Sequence, residues 1–293
     1  YWSLGDAPDL SPQASAYDYV NDFREFFNAL KQEDPSLIVM GPNLAFPDGR
    51  SGTEWMGAFL RYDGDIVNLA SVQHYACGAV SQLSPGGLWD DVRGLTPAYR
   101  ALQGRVCQDS DLYLPVVYTR MGLYPGTDVP EDFTQTLWRA EVLGTLLQEG
   151  AEMMVAGDLE GPGKTGLFAQ GVPDPAARVL ELFSAVWKGI PVPAKAKKNG
   201  IDVFAAQDPV TRDLSLFIVN RNTRYEWMDV SLDGHGDNLV VEAGLSRRFR
   251  LEVPDQALVA VRAPADGSPV TVEVYGAAQA KKGGGPLSET LRP

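Results

Sequence analysis

The sequence lacks any run of about 18 apolar residues, so no segment reads as a transmembrane helix. It is also short of basic residues. Lys and Arg number 25 against 38 Asp and Glu, giving a net charge of −13 and a pI near 4.6. That sign argues against nucleic acid or an anionic membrane as partner and fits an acidic solvated surface. Cysteine and histidine are scarce, at two each. Neither a cofactor nor a metal is expected. Gly161-Pro162-Gly163-Lys164-Thr165-Gly166 lacks the Gly-x4-Gly-Lys-Ser/Thr spacing of a phosphate loop, and Asp233-Gly234-His235-Gly236-Asp237 reads as an exposed turn rather than a calcium loop. No internal repeat is evident. Tyr1 is not an initiator Met and no signal peptide is visible, so the chain is expected to be a processed form or part of something longer.

What is present is an ordinary globular composition, 44% hydrophobic and 22% charged over 293 residues, enough for two domains. Residues 1–190 alternate apolar strands with amphipathic helices. Tyr19, Val20, Phe23, Phe26, Phe27 and Leu30 recur at helical spacing within 15–33, and Leu37-Ile38-Val39-Met40 is a short buried strand. Helix 51–61, a strand within 65–75, a broken helix over 88–103 and strand 112–119 follow. Then come helix 131–149, strand 151–156 and helix 175–188. Strands apolar on both faces and separated by helices indicate an α/β fold with a covered parallel sheet. Five strands can be counted from the first residues. From Ile201 the period changes to two, and seven short strands separated by turns such as Asp208-Pro209 and Asp266-Gly267 suggest an antiparallel β-sandwich. The expected division is 1–190, a linker at 191–200, a β-sandwich at 201–276 and a flexible or partner-docked tail at 277–293.

The opening segment Trp2-Ser3-Leu4-Gly5-Asp6-Ala7-Pro8 resembles the strand-4 signature Trp-x-x-Gly-Asn-Glu-Pro of retaining glycoside hydrolases built on (β/α)8 TIM barrels. Val72-Gln73-His74-Tyr75 resembles the ending of strand 6, and Tyr118-Thr119-Arg120-Met121-Gly122 that of strand 7, which in the family reads Thr-Glu-x-Gly. Leu214 to Arg221 resembles the C-terminal domain of arabinofuranosidase-, xylosidase- and heparanase-like members. The resemblance implies that residues 1–190 are the C-terminal portion of a barrel, strands 4–8, with the first three strand–helix units missing. It also implies, by analogy alone, an extracellular or periplasmic setting.

Barrel enzymes carry their site at the carboxyl ends of the strands. In order these ends bear Asp6, Ala7 and Asp9; Pro42, Asn43 and Phe46; His74 and Tyr75; Thr119, Arg120 and Met121; and Asp158 and Glu160. In the family the strand-4 Glu is the general acid/base and the strand-7 Glu the nucleophile. The matching positions hold Ala7 and Arg120, so the resemblance implies a scaffold without its catalytic pair. A retaining mechanism needs two carboxyls about 5–5.5 Å apart, and an inverting one about 6.5–9.5 Å. The expected function is therefore carbohydrate binding or a structural part in a larger assembly. The alternative is an active glycosidase using displaced carboxylates, Asp6 with Asp158 or Glu160. Asp6 is expected to pair with Arg120, with His74, Tyr75, Asp158 and Glu160 as further candidate sugar ligands.

Trp2, Tyr75 and Tyr118 read either as a sugar platform or as barrel core, and Trp55, Trp89, Trp138 and Trp187 as packing residues. In the barrel reading Cys77 follows one strand and Cys107 precedes the next, at opposite ends, so two unpaired thiols are expected. Half a barrel leaves two raw sheet edges. A polypeptide completing strands 1–3 is the expected partner.

Overall fold

The computed structural model describes residues 1–47, 50–76, 84–123, 133–155, 167–169, 171–236 and 238–291. Asp158, Glu160, Cys77, Asp237 and the segment 161–166 lie outside them. The chain forms two compact units, one made of Tyr1–Ser81, Arg93–Thr127 and Ala151–Gly157, the other of the remaining residues.

The first unit holds a five-stranded sheet in the order β1 (Trp2–Ser3), β2 (Val39–Leu44), β3 (Leu69–Tyr75), β4 (Val116–Gly122) and β5 (Met153–Met154). Every pairing is parallel. The helices are α1 (Ala16–Glu33), α2 (Arg50–Asp63) and, from Arg93 onward, α3 (Pro85–Ser110). Ser15 starts α1 by accepting from the Asp18 amide. Phe23 and Phe59 meet edge to face at 4.8 Å and are fully buried, each worth about 1.5–3 kcal/mol of transfer free energy. Gly41 lets these rings lie against β2, since a Cβ there would sit 2.7 Å from Phe23 and 3.0 Å from Phe59. The helix-facing side of the sheet therefore carries Val39, Gly41, Val72 and Tyr118. The other side carries Met40, Leu69 and Val117, with Ile38 and Met153 against them.

α3 is one helix of 26 residues where the sequence suggested a broken one. Gly94 and Pro97 are poor helix residues, but Leu88, Leu95, Tyr99, Leu102 and Val106 keep helical spacing and are all buried. That continuous apolar stripe outweighs the hydrogen bond lost at Pro97.

In the second unit, α4 (Thr134–Glu149) is buried nearly all round and ends at Gly150, whose φ of 90° takes the left-handed cap conformation. Next come the hairpin β6 (Phe168–Ala169) and β7 (Val172–Pro173), then α5 (Pro175–Val186), capped by Asp174. β8 (Ile190–Pro191) and β9 (Ala194–Ala196) lie in the stretch expected to be linker. They are followed by β10 (Ile201–Gln207), β11 (Leu214–Asn220), β12 (Glu226–Ser231), β13 (Leu239–Val241), β14 (Arg248–Val253), β15 (Ala257–Ala263) and β16 (Val270–Gly276). Two sheets result, β17-β16-β15-β11-β10-β8 and β14-β12-β13-β9, where β17 is Leu287–Leu291. One apolar core joins them, with Leu214, Leu216 and Ile218 from one sheet and Met228, Val230, Leu251 and Val253 from the other. The other face of β11 is covered too: Phe217 stacks on Phe183 of α5 at 4.0 Å.

Two departures from the sequence reading stand out here. β12 and β13 are parallel, so the second sheet is not wholly antiparallel. Residues 277–291, within the tail expected to be flexible or docked on a partner, form the short helix α6 (Ala277–Lys281) and then β17, which pairs with β16 over five residues. Backbone pairing to an open sheet edge, with Leu291 packed against the core, orders this segment.

Candidate functional site

The carboxyl ends of β1, β3 and β4 bring four polar side chains into a closed ring. Gln73 Nε2 donates to Asp6 Oδ1 at 2.6 Å, and Tyr75 Oη–H donates to Gln73 Oε1 at 2.7 Å. Arg120 Nη1 donates to Tyr75 Oη at 3.4 Å and lies 3.9 Å from Asp6 Oδ2. Gln73 and Tyr75 are buried, whereas Asp6 is 72% exposed. The expected Asp6–Arg120 pair thus sits at the limit of ion-pair contact, and its firm links run through Gln73 and Tyr75. Phe46, at the end of β2, places its ring 6.1 Å from that of Tyr75.

Two bulges set this arrangement. Pro42 pairs with Ser71 but Leu44 with Val72, leaving Asn43 as an extra residue. Val72 pairs with Tyr118 but Gln73 with Arg120, leaving Thr119 extra. The extra residues bind each other, Thr119 Oγ1 donating to Asn43 Oδ1. Asn43, at φ 60°, donates through Nδ2 to the Gly5 carbonyl at 3.1 Å and accepts from the Ala7 amide at 3.1 Å. Ala7 is itself left-handed, with φ 51° and ψ 54°. Tyr19 Oη–H donates to the Leu4 carbonyl at 2.5 Å, and burial pushes its phenol pKa well above the usual range. The loop carrying Asp6 and Ala7 is therefore held from both sides.

Asp9, at the same strand end, accepts from the amides of Ala45 at 2.9 Å and Phe46 at 3.1 Å. Both its oxygens are engaged in holding the loop after β2. Parallel partners share a face, so the register puts Gln73, Tyr75 and Arg120 on one side of the sheet and His74 with Tyr118 on the other. The His74 ring meets Tyr118 edge-on at 6.5 Å, and Tyr118 stacks on Tyr99 of α3 at 6.4 Å. His74 therefore faces the helix layer, on the opposite side of the sheet from the ring of polar groups. Trp2 is 54% exposed at the sheet edge, apart in exposure from buried Tyr75 and Tyr118. Trp55 and Trp138 are buried packing residues, and Arg221 lies over Trp89 at 5.0 Å. Cys107 is an exposed free thiol. Asp158 and Glu160 are outside the described residues.

Sequence reading missed Gln73. Its signal is visible in hindsight: an amide in the middle of an apolar strand must find polar partners when buried. Among the described residues no group of His, Cys, Asp and Glu could hold a metal ion, and no helix is long and apolar enough to cross a membrane.

No family model matches the chain, and no curated protein matches it. Solved structures do. A family 51 α-L-arabinofuranosidase from Bifidobacterium longum superposes on 99% of this chain and 62% of its own, with a TM-score of 0.64 and 11% identity. A xyloglucanase of glycoside hydrolase family 44 from Paenibacillus polymyxa matches 86% of this chain and 64% of its own, at TM-score 0.60 and 14% identity. A monomeric β-xylosidase from Caulobacter crescentus matches 76% of this chain and 47% of its own, at TM-score 0.52 and 20% identity. The chain spans less than two thirds of the length of each. At these identities the likeness is one of fold: a glycoside-hydrolase-like architecture with a parallel half-barrel sheet of five strands and additional antiparallel sheets.

Proposed function

We propose that this chain is a glycoside-hydrolase-like protein that does not cleave sugars, and that it binds carbohydrate at the strand ends or serves as a structural component of a larger assembly. The observation that carries this reading is the chemistry of the two positions matching the family's glutamates. Ala7 offers a methyl group, and Arg120 a guanidinium engaged with Tyr75 and Asp6. Glycosidic cleavage passes through an oxocarbenium-like state in which the ring gains positive charge. A guanidinium about 4 Å away opposes that charge by about 4 kcal/mol at an effective dielectric of about 20. Asp6 and Tyr75 remain as groups able to accept or donate to sugar hydroxyls.

The test is hydrolysis of a panel of aryl glycosides and of arabinan, xylan and glucan. No turnover above background is expected. Turnover that disappears in Asp6→Asn or Glu160→Gln would replace this reading with an active enzyme using displaced carboxylates.

The same reading includes a polypeptide that supplies the rest of the barrel, in an extracellular or periplasmic setting. Its support is that β1 and β5 each have one paired edge and, among the described residues, no strand on the other. Sedimentation of the chain alone is expected to show self-association, and dye binding to show exposed apolar surface. A concentration-independent monomer that binds no dye would remove the partner.

A further inference from the structure

Away from the strand ends, the outward face of the β14-β12-β13-β9 sheet combines groups that the core does not use. Met228 and Val230 of β12 and Leu251 and Val253 of β14 point into the core, so Trp227, Asp229, Arg248, Arg250 and Glu252 point out. Cross-strand register sets Trp227 opposite Glu252 and Asp229 opposite Arg250. The Arg250 guanidinium lies 5.0 Å over the Trp227 ring and 3.6 Å from Asp229 Oδ1. Asn238 Nδ2 donates to the other oxygen of Asp229 at 3.1 Å. Tyr225 precedes Trp227 by two residues, and both rings are open to solvent, at 58% and 43% exposure.

On the far side of Asn238 the surface dips into a cleft of about 430 Å³ lined by Lys195, Lys197, Val240 and Glu242 with Gly234 and Gly236. Its wall is the Gly234–Gly236 turn. Lys197 Nζ donates to the Gly236 carbonyl at 3.1 Å, and a Cβ on Gly236 would meet Ser231 at 3.0 Å. The turn is therefore pressed onto the sheet by contacts that leave no room for a larger residue.

We propose that this face is a binding site for a neutral polysaccharide chain. Exposed aromatic rings add nothing to the core, yet they offer flat π surfaces to the C–H faces of sugars. Tyr225 lies just before β12, two residues from Trp227, about 7 Å along an extended chain, a spacing that suits neighbouring sugar units. Beside them stand a carboxylate, a guanidinium and an amide already oriented by one another, which are planar partners for vicinal hydroxyls. The charges decide the polymer. Lys195, Lys197, Arg248 and Arg250 are matched by Asp229, Asp233, Glu242 and Glu252, so this face has no net field to attract a polyanion, and the chain as a whole repels one. The proposal does not depend on the reading of the strand-end cluster.

Affinity electrophoresis of the folded chain in native gels containing arabinoxylan, xyloglucan or mixed-linkage β-glucan tests it. At least one polysaccharide is expected to retard the wild type. Trp227→Ala is expected to weaken that binding at least about tenfold, with Tyr225→Ala also weaker. Trp227→Phe should keep most of it, and Tyr113→Ala, an exposed ring in the other unit, all of it. Circular dichroism and thermal melting check that the variants fold. Failure of all three neutral polymers to retard the wild type overturns the proposal. So does binding that survives the Trp227→Ala/Tyr225→Ala double variant. Binding lost in Asp6→Ala but kept in Trp227→Ala would overturn the sheet-face site and leave the strand-end reading standing.

Discussion

The ring at the strand ends makes a quantitative claim about Gln73. This side chain is 2% exposed, donates to Asp6 at 2.6 Å and accepts from Tyr75 at 2.7 Å. Tyr75→Phe removes the donor and leaves a buried amide oxygen without its partner, a loss of about 1–2 kcal/mol. Gln73→Leu gives up both bonds. Asp6 is mostly exposed, so water restores most of its share, and the net loss is again about 1–2 kcal/mol. In the double variant both ends of the Tyr75–Gln73 bond are apolar and no amide oxygen is stranded. The combined loss should then fall short of the sum by about 1 kcal/mol. Equilibrium urea unfolding of the four proteins measures the cycle. Losses that add within about 0.3 kcal/mol would mean that the two side chains do not share a bond in solution, and the ring would fall with it.

Three further outcomes follow from packing and charge. Gly144→Ala should destabilise the chain by about 1–2 kcal/mol despite the better helix propensity of alanine, because the added Cβ would lie 2.2–2.5 Å from the Phe204 ring; Phe204→Leu in the same chain should recover part of the melting temperature. Asp233 is held at a pKa of about 2, first by the Ser231 hydroxyl and then by the His235 amide. Its contribution is present above the unfolded value, near 3.8, and is lost as pH falls through about 2, so the melting difference between wild type and Asp233→Asn should be largest near neutrality and close by about pH 2. Arg139 is 2% exposed, its Nε and Nη2 have no hydrogen-bond partner among the described residues, and burial pushes its guanidinium below the usual range. Arg139→Met should therefore stabilise by about 1–3 kcal/mol in the same unfolding assay, and a loss of that size would show that an acceptor pairs it in solution.

Much of the fold was legible because its signals are periodic. The apolar stripe of α1, the continuous apolar runs of β3 and β4 and the alternation in β12 and β14 each state which face is buried. What escaped is held mainly by backbone pairing, with only a few small contacts to the core from Ala194, Ala196 and Leu291. β8 and β9 are two and three residues long in a Pro- and Lys-rich stretch, and β17 is a polar strand whose order comes from its ladder with β16. No pattern of side chains announces such elements. α3 went the other way: local breakers at Gly94 and Pro97 concealed a helix that its buried stripe holds together.

The site was partly legible for a different reason. Residue order along β3 and β4 places the strand ends together in any parallel sheet, so Asp6, Tyr75 and Arg120 could be grouped from sequence. Which neighbours face them could not. In an unbroken register, Val72 opposite Tyr118 would set Gln73 opposite Thr119 and His74 opposite Arg120, and the arginine would turn to the helix layer beside His74. The extra residue at Thr119 shifts the pairing by one, so that Arg120 lies opposite Gln73 on the side of Tyr75 while His74 stays on the side of Tyr118. Because strand side chains alternate with a period of two, one inserted residue is enough to carry the guanidinium from one face of the sheet to the other. The bulge is fixed in turn by the bond between Thr119 and Asn43, itself the extra residue of the neighbouring strand. Thr119→Val should therefore loosen the register as well as the loop. In an NMR titration of the histidines, His74 should change its environment in that variant while His235, in the other unit, does not. An unmoved His74 signal would show that the shift in register does not depend on this bond.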